Sequence, residues 1–244
     1  MVEGIHIIMR RFDKDISIVF PAYNEEENIE ICVLVAHAIL KELVQNFEII
    51  VIDDGSTDMT REVCLGLEKR LDNFRLISKE KNEGYGYALK DGFSAAKFDL
   101  VFFSDADRQF DIMNLKDLLG YIDEYDIVIG FRRKRQDSLK RKFLSWAYNI
   151  LVRIIFNFYV TDIDCAFKIF QKKIFKKITI ESQQYFVNTE ILAKARLCGF
   201  SIKEVGVSHF PRYEGESKVG FLDIPRTLKA IMRIRRSLKT TNYP

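Results

Sequence analysis

An α/β fold, with a mostly parallel central sheet flanked by helices, is what this sequence predicts, and three observations carry the prediction. Short β-rich runs alternate with helical patterns five times within the first 130 residues, the signature of a doubly wound sheet with right-handed crossovers. Four of those runs stop at polar clusters, PAYNE, DDGS, KNEGYG and SDAD, and ligands in such sheets sit beyond the carboxyl ends of the strands. The most apolar run, Leu100-Val101-Phe102-Phe103, reads as a buried central strand.

Taken in order, Ile16 to Phe20 is the first strand, stopped by Pro21. Asn24 is placed to cap a helix reaching about Val44, and acidic residues crowd its first turn as the helix dipole prefers. Phe47 to Ile52 is the second strand; Ser56 or Thr57 is placed to cap a helix over roughly 58–71. Arg75 to Ser78 is the third strand, followed by a glycine-containing loop that runs into a helix. After the apolar run come a helix near 114–123 and a strand from Asp126 to Gly130.

The next stretch changes character. FRRKRQDSLKRK carries seven basic side chains against one acid, and FLSWAYNILVRIIFNFYV (143–160) is mostly apolar. Its polar members Ser145, Asn149, Arg153 and Asn157 recur every four residues, one narrow stripe on a greasy helix. It is short for a membrane span and carries Arg153 at its middle, which argues against a transmembrane helix. Two readings stay open: a buried helix, or one resting partly on a membrane surface with the basic run against anionic headgroups. Residues 221–244 have six Lys or Arg and no acid after Asp223, a solvated terminal helix or a second membrane contact. The organisation predicted is an N-terminal extension (1–14), one domain (15–220) and a basic C-terminal helix or tail (221–244).

Bulk composition narrows the class. With 244 residues the chain is long enough for a sizeable core, and 48% hydrophobic with 30% charged residues is ordinary for a globular domain. A net charge of +3 does not announce a nucleic-acid binder. Cys32, Cys64, Cys165 and Cys198 are far apart, with no zinc or disulfide pattern, which fits a reducing cytosol. The N-terminus shows no signal peptide. No P-loop, G-x-S-x-G or H-E-x-x-H occurs. GYGYAL (84–89) half-matches a dinucleotide fingerprint, but Leu89 stands at the third glycine and the loop follows the third strand instead of the first.

The chemistry centres on Asp105 and Asp107. Two carboxylates one residue apart at a strand end can hold a hard divalent cation between protein and phosphate oxygens. A lone D-x-D decides little, because Asp is common in turns after strands. Asp53 or Asp54 is placed to bind a ribose or base, the usual job of an acid at such a strand end.

The motifs together resemble family 2 glycosyltransferases of the GT-A (nucleotide-diphospho-sugar transferase) fold, with a Rossmann-like sheet, and most of all the dolichol- and polyprenyl-phosphate sugar synthase branch. The resemblance runs through SIVFPAYNEEENI (17–29), VIDDGSTD (51–58), NEGYGYALKDGF (82–93), FSDADRQFD (103–111), VIGFRRKR (128–135), TDIDCAFKIFQKKIF (161–175), NTEILAKARLCGFSIKEVGV (188–207) and HFPRYEGES (209–217). It implies an inverting, metal-dependent glycosyltransferase using a nucleotide-diphosphate sugar, with Pro21, Tyr23, Glu25, Asp53, Asp54 and Asp105 around the nucleotide. It implies Mg²⁺ or Mn²⁺ on Asp105, Asp107 and Gln109. A polyprenyl phosphate is the acceptor it favours, bound by Arg132, Arg141, Arg212, Ser217 and Lys218. For a hydroxyl acceptor, Asp162 or Asp164 would be the base. Glu190 looks structural, and Asn188 stands where family members often carry Asp. No Q-x-x-R-W motif of processive members is present. The place implied is cytoplasmic, at the cytoplasmic membrane face, with a membrane protein as a possible partner. Two rivals remain: transfer to a hydroxyl in polysaccharide or glycoconjugate synthesis, and a catalytically silent nucleotide-binding subunit of a membrane enzyme. A sugar nucleotidyltransferase would need a glycine-rich basic loop after the first strand, where this chain has the acidic PAYNEEEN.

Overall fold

The computed structural model describes residues 11–133, 139–156 and 159–211. Its strands are β1 (Phe12–Ala22), β2 (Val44–Asp53), β3 (Phe74–Ser78), β4 (Leu100–Ser104), β5 (Ile127–Arg132), β6 (Phe167–Gln171) and β7 (Ile202–Val207). Its helices are α1 (Ile29–Leu43), α2 (Thr60–Glu68), α3 (Tyr85–Ala95), α4 (Leu115–Leu119), α5 (Leu139–Phe156) and α6 (Val187–Leu197). The strands form one seven-stranded sheet in the order β3-β2-β1-β4-β6-β5-β7. Only β6 opposes the others, pairing antiparallel with β4 and β5. The chain builds outward from β1 through β2 to β3, then returns so that β4 lies on the other side of β1. That reversal opens a crevice beyond the ends of β1 and β4, the usual ligand position in such sheets.

Alternating side chains divide the core into two layers. Ile16, Ile18, Phe20, Leu100 and Phe102 face α1, α2 and α4. Val19, Val101, Phe103 and Phe170 face α3 and α6, joined by Val152 of α5. All five residues of β4 are buried, so the carboxylates that follow it are carried on the most rigid part of the sheet.

Three expectations are corrected. Asn24 does not cap α1, which begins at Ile29; Asn24 has φ of +52° and its side chain accepts from Thr57 N at 2.8 Å, in the neighbouring loop. Neither Ser56 nor Thr57 caps α2, because Asp58 accepts from Thr60 N at 3.0 Å instead. The helix expected near 114–123 is a 3-10 turn (Ile112–Asn114) followed by the short α4. Beyond residue 160, β6, α6 and β7 emerge without a clear sequence pattern of their own. Among the described residues, no helix is long and apolar enough to cross a membrane.

Helix α6 is buried from Val187 to Ala195 and carries two charges inward. Glu190 accepts from the backbone N–H groups of Glu181 (2.9 Å) and Ser182 (2.8 Å), and pairs with Lys194 at 2.7 Å. Lys194 also donates to Thr179 O at 2.7 Å. The pair thus fixes the loop that enters α6. Lys194→Ala should leave Glu190 as a buried charge without its cation and cost about 3–5 kcal/mol, measured by urea unfolding. A loss below about 1 kcal/mol, the worth of a surface pair, would mean that the pair does not anchor the loop.

Candidate active site

The loops after β1 and β2 are laced together by polar contacts. Asn24 N donates to Ser56 Oγ (2.9 Å), Glu25 N to Thr60 Oγ1 (2.8 Å) and Glu26 N to Asp58 Oδ2 (3.2 Å). In return, Met59 N donates to Glu26 Oε2 at 2.7 Å. These exchanges explain the polarity of PAYNEEEN and DDGSTD: neither loop has sheet neighbours for its N–H groups, so side chains of the other loop supply acceptors. Pro21 lies buried in β1 opposite Ile52, while Tyr23 and Glu25 are half-buried at its end.

Asp53 and Asp54 are both buried and both serve the local backbone. Asp53 accepts from Ser56 N at 2.9 Å. Asp54 reaches across to the loop after β3, accepting from Glu83 N (3.1 Å) and Gly84 N (2.8 Å). Lys79 stands beside it, at 3.4 Å from Asp54, 3.2 Å from Glu83 and 2.8 Å from Asp91. Burial alone would pull the Lys79 ammonium down, but the surrounding carboxylates hold it above its ordinary value.

At the end of β4, Asp107 is 4% exposed and accepts from Gln109 N at 3.1 Å. Asp105 is half-buried and accepts from the Tyr85 hydroxyl at 2.8 Å. Burial, then the adjacent Asp105 carboxylate, push the Tyr85 phenol well above its ordinary pKa, so it stays a donor. Gln109 is tied to the segment after β7: Phe210 N donates to Gln109 O at 2.8 Å, and Gln109 Nε2 donates to Phe210 O at 3.1 Å. His209 bridges Phe110 in the same arrangement. The start of the HFPRYEGES motif, at His209 and Phe210, is therefore held against the aspartate loop.

Two predicted residues meet each other. Arg132, at the end of β5, makes a bidentate pair with Asp162 at 2.6 and 2.7 Å, and both side chains are nearly buried. Asp162 thus orients Arg132, and its carboxylate is committed. Asp164 sits half-buried on the same loop. Behind it, Lys168 of β6 is buried, donating to Asn188 Oδ1 at 2.9 Å and to Cys165 O. Burial lowers its pKa, and Asp164, Asp162 and Asp105 work in the opposite direction. Arg212, Ser217 and Lys218 lie outside the described residues, as does the side chain of Arg141.

The donor set fits a hard cation. Asp105 and Asp107 offer carboxylate oxygens and Gln109 an amide oxygen, the ligands that Mg²⁺ and Mn²⁺ take. Among the described residues no group of three or more His, Cys, Asp or Glu could hold a metal ion by itself. Two carboxylates completed by substrate phosphates is the arrangement typical of Mg²⁺ sites. A cavity of about 680 Å³ opens at the opposite edge of the sheet, beside Lys14, Lys97, Asp123 and Lys172. Four of its charged side chains are already engaged: Lys14 with Asp123, Lys97 over the Phe98 ring, Lys172 with Ala96 O. The strand ends at the crevice are the better site. Tyr85, Tyr185, Lys79 and Lys168 belong to it and were not singled out by sequence reading, since ordinary core and surface positions look the same in a pattern.

The fold is an α/β domain of the glycosyltransferase type. The family model described as glycosyl transferase family 2 matches residues 17–183, and the chain belongs to that family. It is 34% identical over 215 residues to glycosyltransferase AglD of Haloferax volcanii, covering 84% of this chain and 34% of that protein. It is 30% identical to the undecaprenyl-phosphate 4-deoxy-4-formamido-L-arabinose transferase of Photorhabdus laumondii, covering 86% and 65%. The chain therefore spans about a third of the first of these relatives and just under two thirds of the second. Glucosyl-3-phosphoglycerate synthase from Mycobacterium tuberculosis, solved with Mn²⁺, UDP and phosphoglyceric acid, has the same fold: TM-score 0.69 at 21% identity, covering 93% of this chain and 79% of that one.

Asp54→Ala should strip the acceptor from two backbone N–H groups and cost about 1–3 kcal/mol. A drop in thermal midpoint, rescued in part by Asp54→Asn, is the expected result. An unchanged midpoint would mean that the carboxylate does not join these loops.

Proposed function

We propose that this chain transfers a sugar from a nucleotide-diphosphate sugar to a polyprenyl phosphate. The observation that supports the reading is that Gln109, which donates to Asp107, is also bonded at both its backbone carbonyl and its side chain to Phe210. The laced loops after β1 and β2 supply the nucleotide end, with Tyr23 and Glu25 at its rim. A divalent cation held by Asp105, Asp107 and Gln109 would neutralise the charge growing on the departing nucleoside diphosphate. The chain's own part is to hold donor and acceptor in line and to keep water out. Inversion at the sugar carbon follows from a single displacement.

A phosphate acceptor suits the Arg132–Asp162 pair. Asp162 is bound by the guanidinium and is poorly placed to take a proton, whereas an acceptor phosphate arrives already ionised and needs no base. Arg132, oriented from behind, is positioned to face an anion. The two curated relatives support this assignment in part, since one is named for undecaprenyl phosphate. A hydroxyl acceptor would instead rely on Asp164.

Lipid substrates call for a surface contact, and α5 offers one. Trp146 is 59% exposed and Ile154 74%, with Ile150 between them at helical spacing, and Tyr159 lies just beyond. Arg153 stacks over the Tyr159 ring at 4.6 Å. An aromatic and aliphatic face of this kind matches a lipid surface.

Two experiments test the reading. In a thermal-shift panel of GDP, UDP, dTDP and CDP with and without Mn²⁺, one diphosphate should stabilise the protein only with metal. At about a hundred times its dissociation constant the gain should be roughly 2.7 kcal/mol. Asp107→Ala should abolish that shift and sugar transfer while folding normally; full activity in that variant would overturn the metal assignment. For the surface, flotation with phosphatidylglycerol vesicles should carry the wild type upward and leave Trp146→Ser/Ile154→Ser behind. Equal flotation of both would remove α5 from the contact.

A further inference from the structure

GYGYAL is the one motif that the nucleotide reading leaves without a task, and the structure gives its glycines a different reason. Gly84 has φ of +106°, and a Cβ there would stand 2.4 Å from Gln183 O. On Gly86 a Cβ would stand 2.0 Å from Ser182 O, and Gly86 N donates to Gln183 O at 2.7 Å. The glycines admit the 182–184 loop against the start of α3; they are not a cradle for a pyrophosphate. That loop is itself fixed from beneath by Glu190. Tyr85 lies between the two glycines. Its ring leans on Tyr185 at 5.1 Å between centroids, and its hydroxyl meets Asp105 Oδ1.

We propose that Tyr85 is a positioning residue: by holding Oδ1 of Asp105, it sets the rotation of that carboxylate before the donor and its cation arrive. The inference rests on the donor reading above and deepens it. Rotation about the last bond of an aspartate is soft, with broad minima, so a carboxylate on a strand end is oriented only by what it bonds. Tyr85 is well suited to do this because its own direction is fixed three ways, by the glycine-enabled packing, by the Tyr185 ring and by α3. Partners that orient a metal's carboxylate ligands are worth about ten- to a hundredfold in metal affinity. The chain of contacts from Glu190 through the 182–184 loop and Tyr85 to Asp105 thus links a buried ion pair of α6 to the donor site.

The test is Mn²⁺ retention, followed by the loss of the free-ion electron paramagnetic resonance signal, with each of UDP, GDP, CDP and dTDP. Wild type, Tyr85→Phe, Tyr87→Phe and Asp107→Ala are compared. Tyr87 is the control, since its hydroxyl accepts from Gln183 Nε2 and not from the aspartate loop. Tyr85→Phe keeps the ring and its stacking, so its thermal midpoint should stay within about 2–4 °C of wild type. Its Mn²⁺ affinity in the presence of the binding diphosphate should fall about ten- to a hundredfold, with Tyr87→Phe unchanged. Wild-type affinity in Tyr85→Phe would overturn the positioning role and leave the donor reading standing. If wild type retained no more Mn²⁺ than Asp107→Ala with any of the four, the donor reading would fall, and the role of Tyr85 with it.

Discussion

The parallel pairing of β4 with β1, from Ile16 opposite Leu100 to Val19 opposite Phe103, is the constraint on which the rest depends. It inserts a wholly buried strand beside the first one and reverses the direction in which the sheet grows. Because β4 is covered on both faces, a slip of one residue would drive Phe102 and Phe103 into each other's core layer, where neither packs. The carboxylates after Ser104 inherit that fixity. An aspartate on a surface loop would have to be ordered at the moment of binding, at a cost in entropy.

Around that point the polar residues do structural work first. Asp53 and Asp54 tie turns and loops; Asn24, Glu26, Asp58 and Thr60 lace two loops into one unit. A site made this way is preorganised, which is what an enzyme needs where charge develops on a leaving group. The same logic explains Arg132. Its bidentate pairing with Asp162 holds a guanidinium in place at the end of β5, where a flexible surface arginine would have many orientations.

The aspartate loop is also where distant parts of the chain meet, because Phe210, after β7, bonds to Gln109. The α5 face, with Trp146 and Ile154 turned outward, lies outside both core layers except through Val152 and the residues packed near it. Exposed apolar side chains grouped in this way mark a contact surface.

By itself the sequence determined whatever is short-range. Short apolar runs that end at polar clusters marked the first five strands, because such runs and stops are local properties of the chain. Asp105 and Asp107 were legible for the same reason, as an abrupt change from a buried run to carboxylates. The tertiary structure decided what depends on residues far apart. β6 hides because Lys168 interrupts its apolar run; only the fold shows that lysine buried over the Phe103 ring and bonded to Asn188. Asn24 and Thr57 looked like caps, since side-chain oxygens near a helix start resemble caps in any sequence, yet their partners are in other loops. The glycines of GYGYAL only half-match a dinucleotide fingerprint, and only the approach of the 182–184 loop reveals what they make room for. Arg132 with Asp162, and Tyr85 with Asp105, are pairs that no local pattern specifies, because the sheet order brings them together and chain spacing does not.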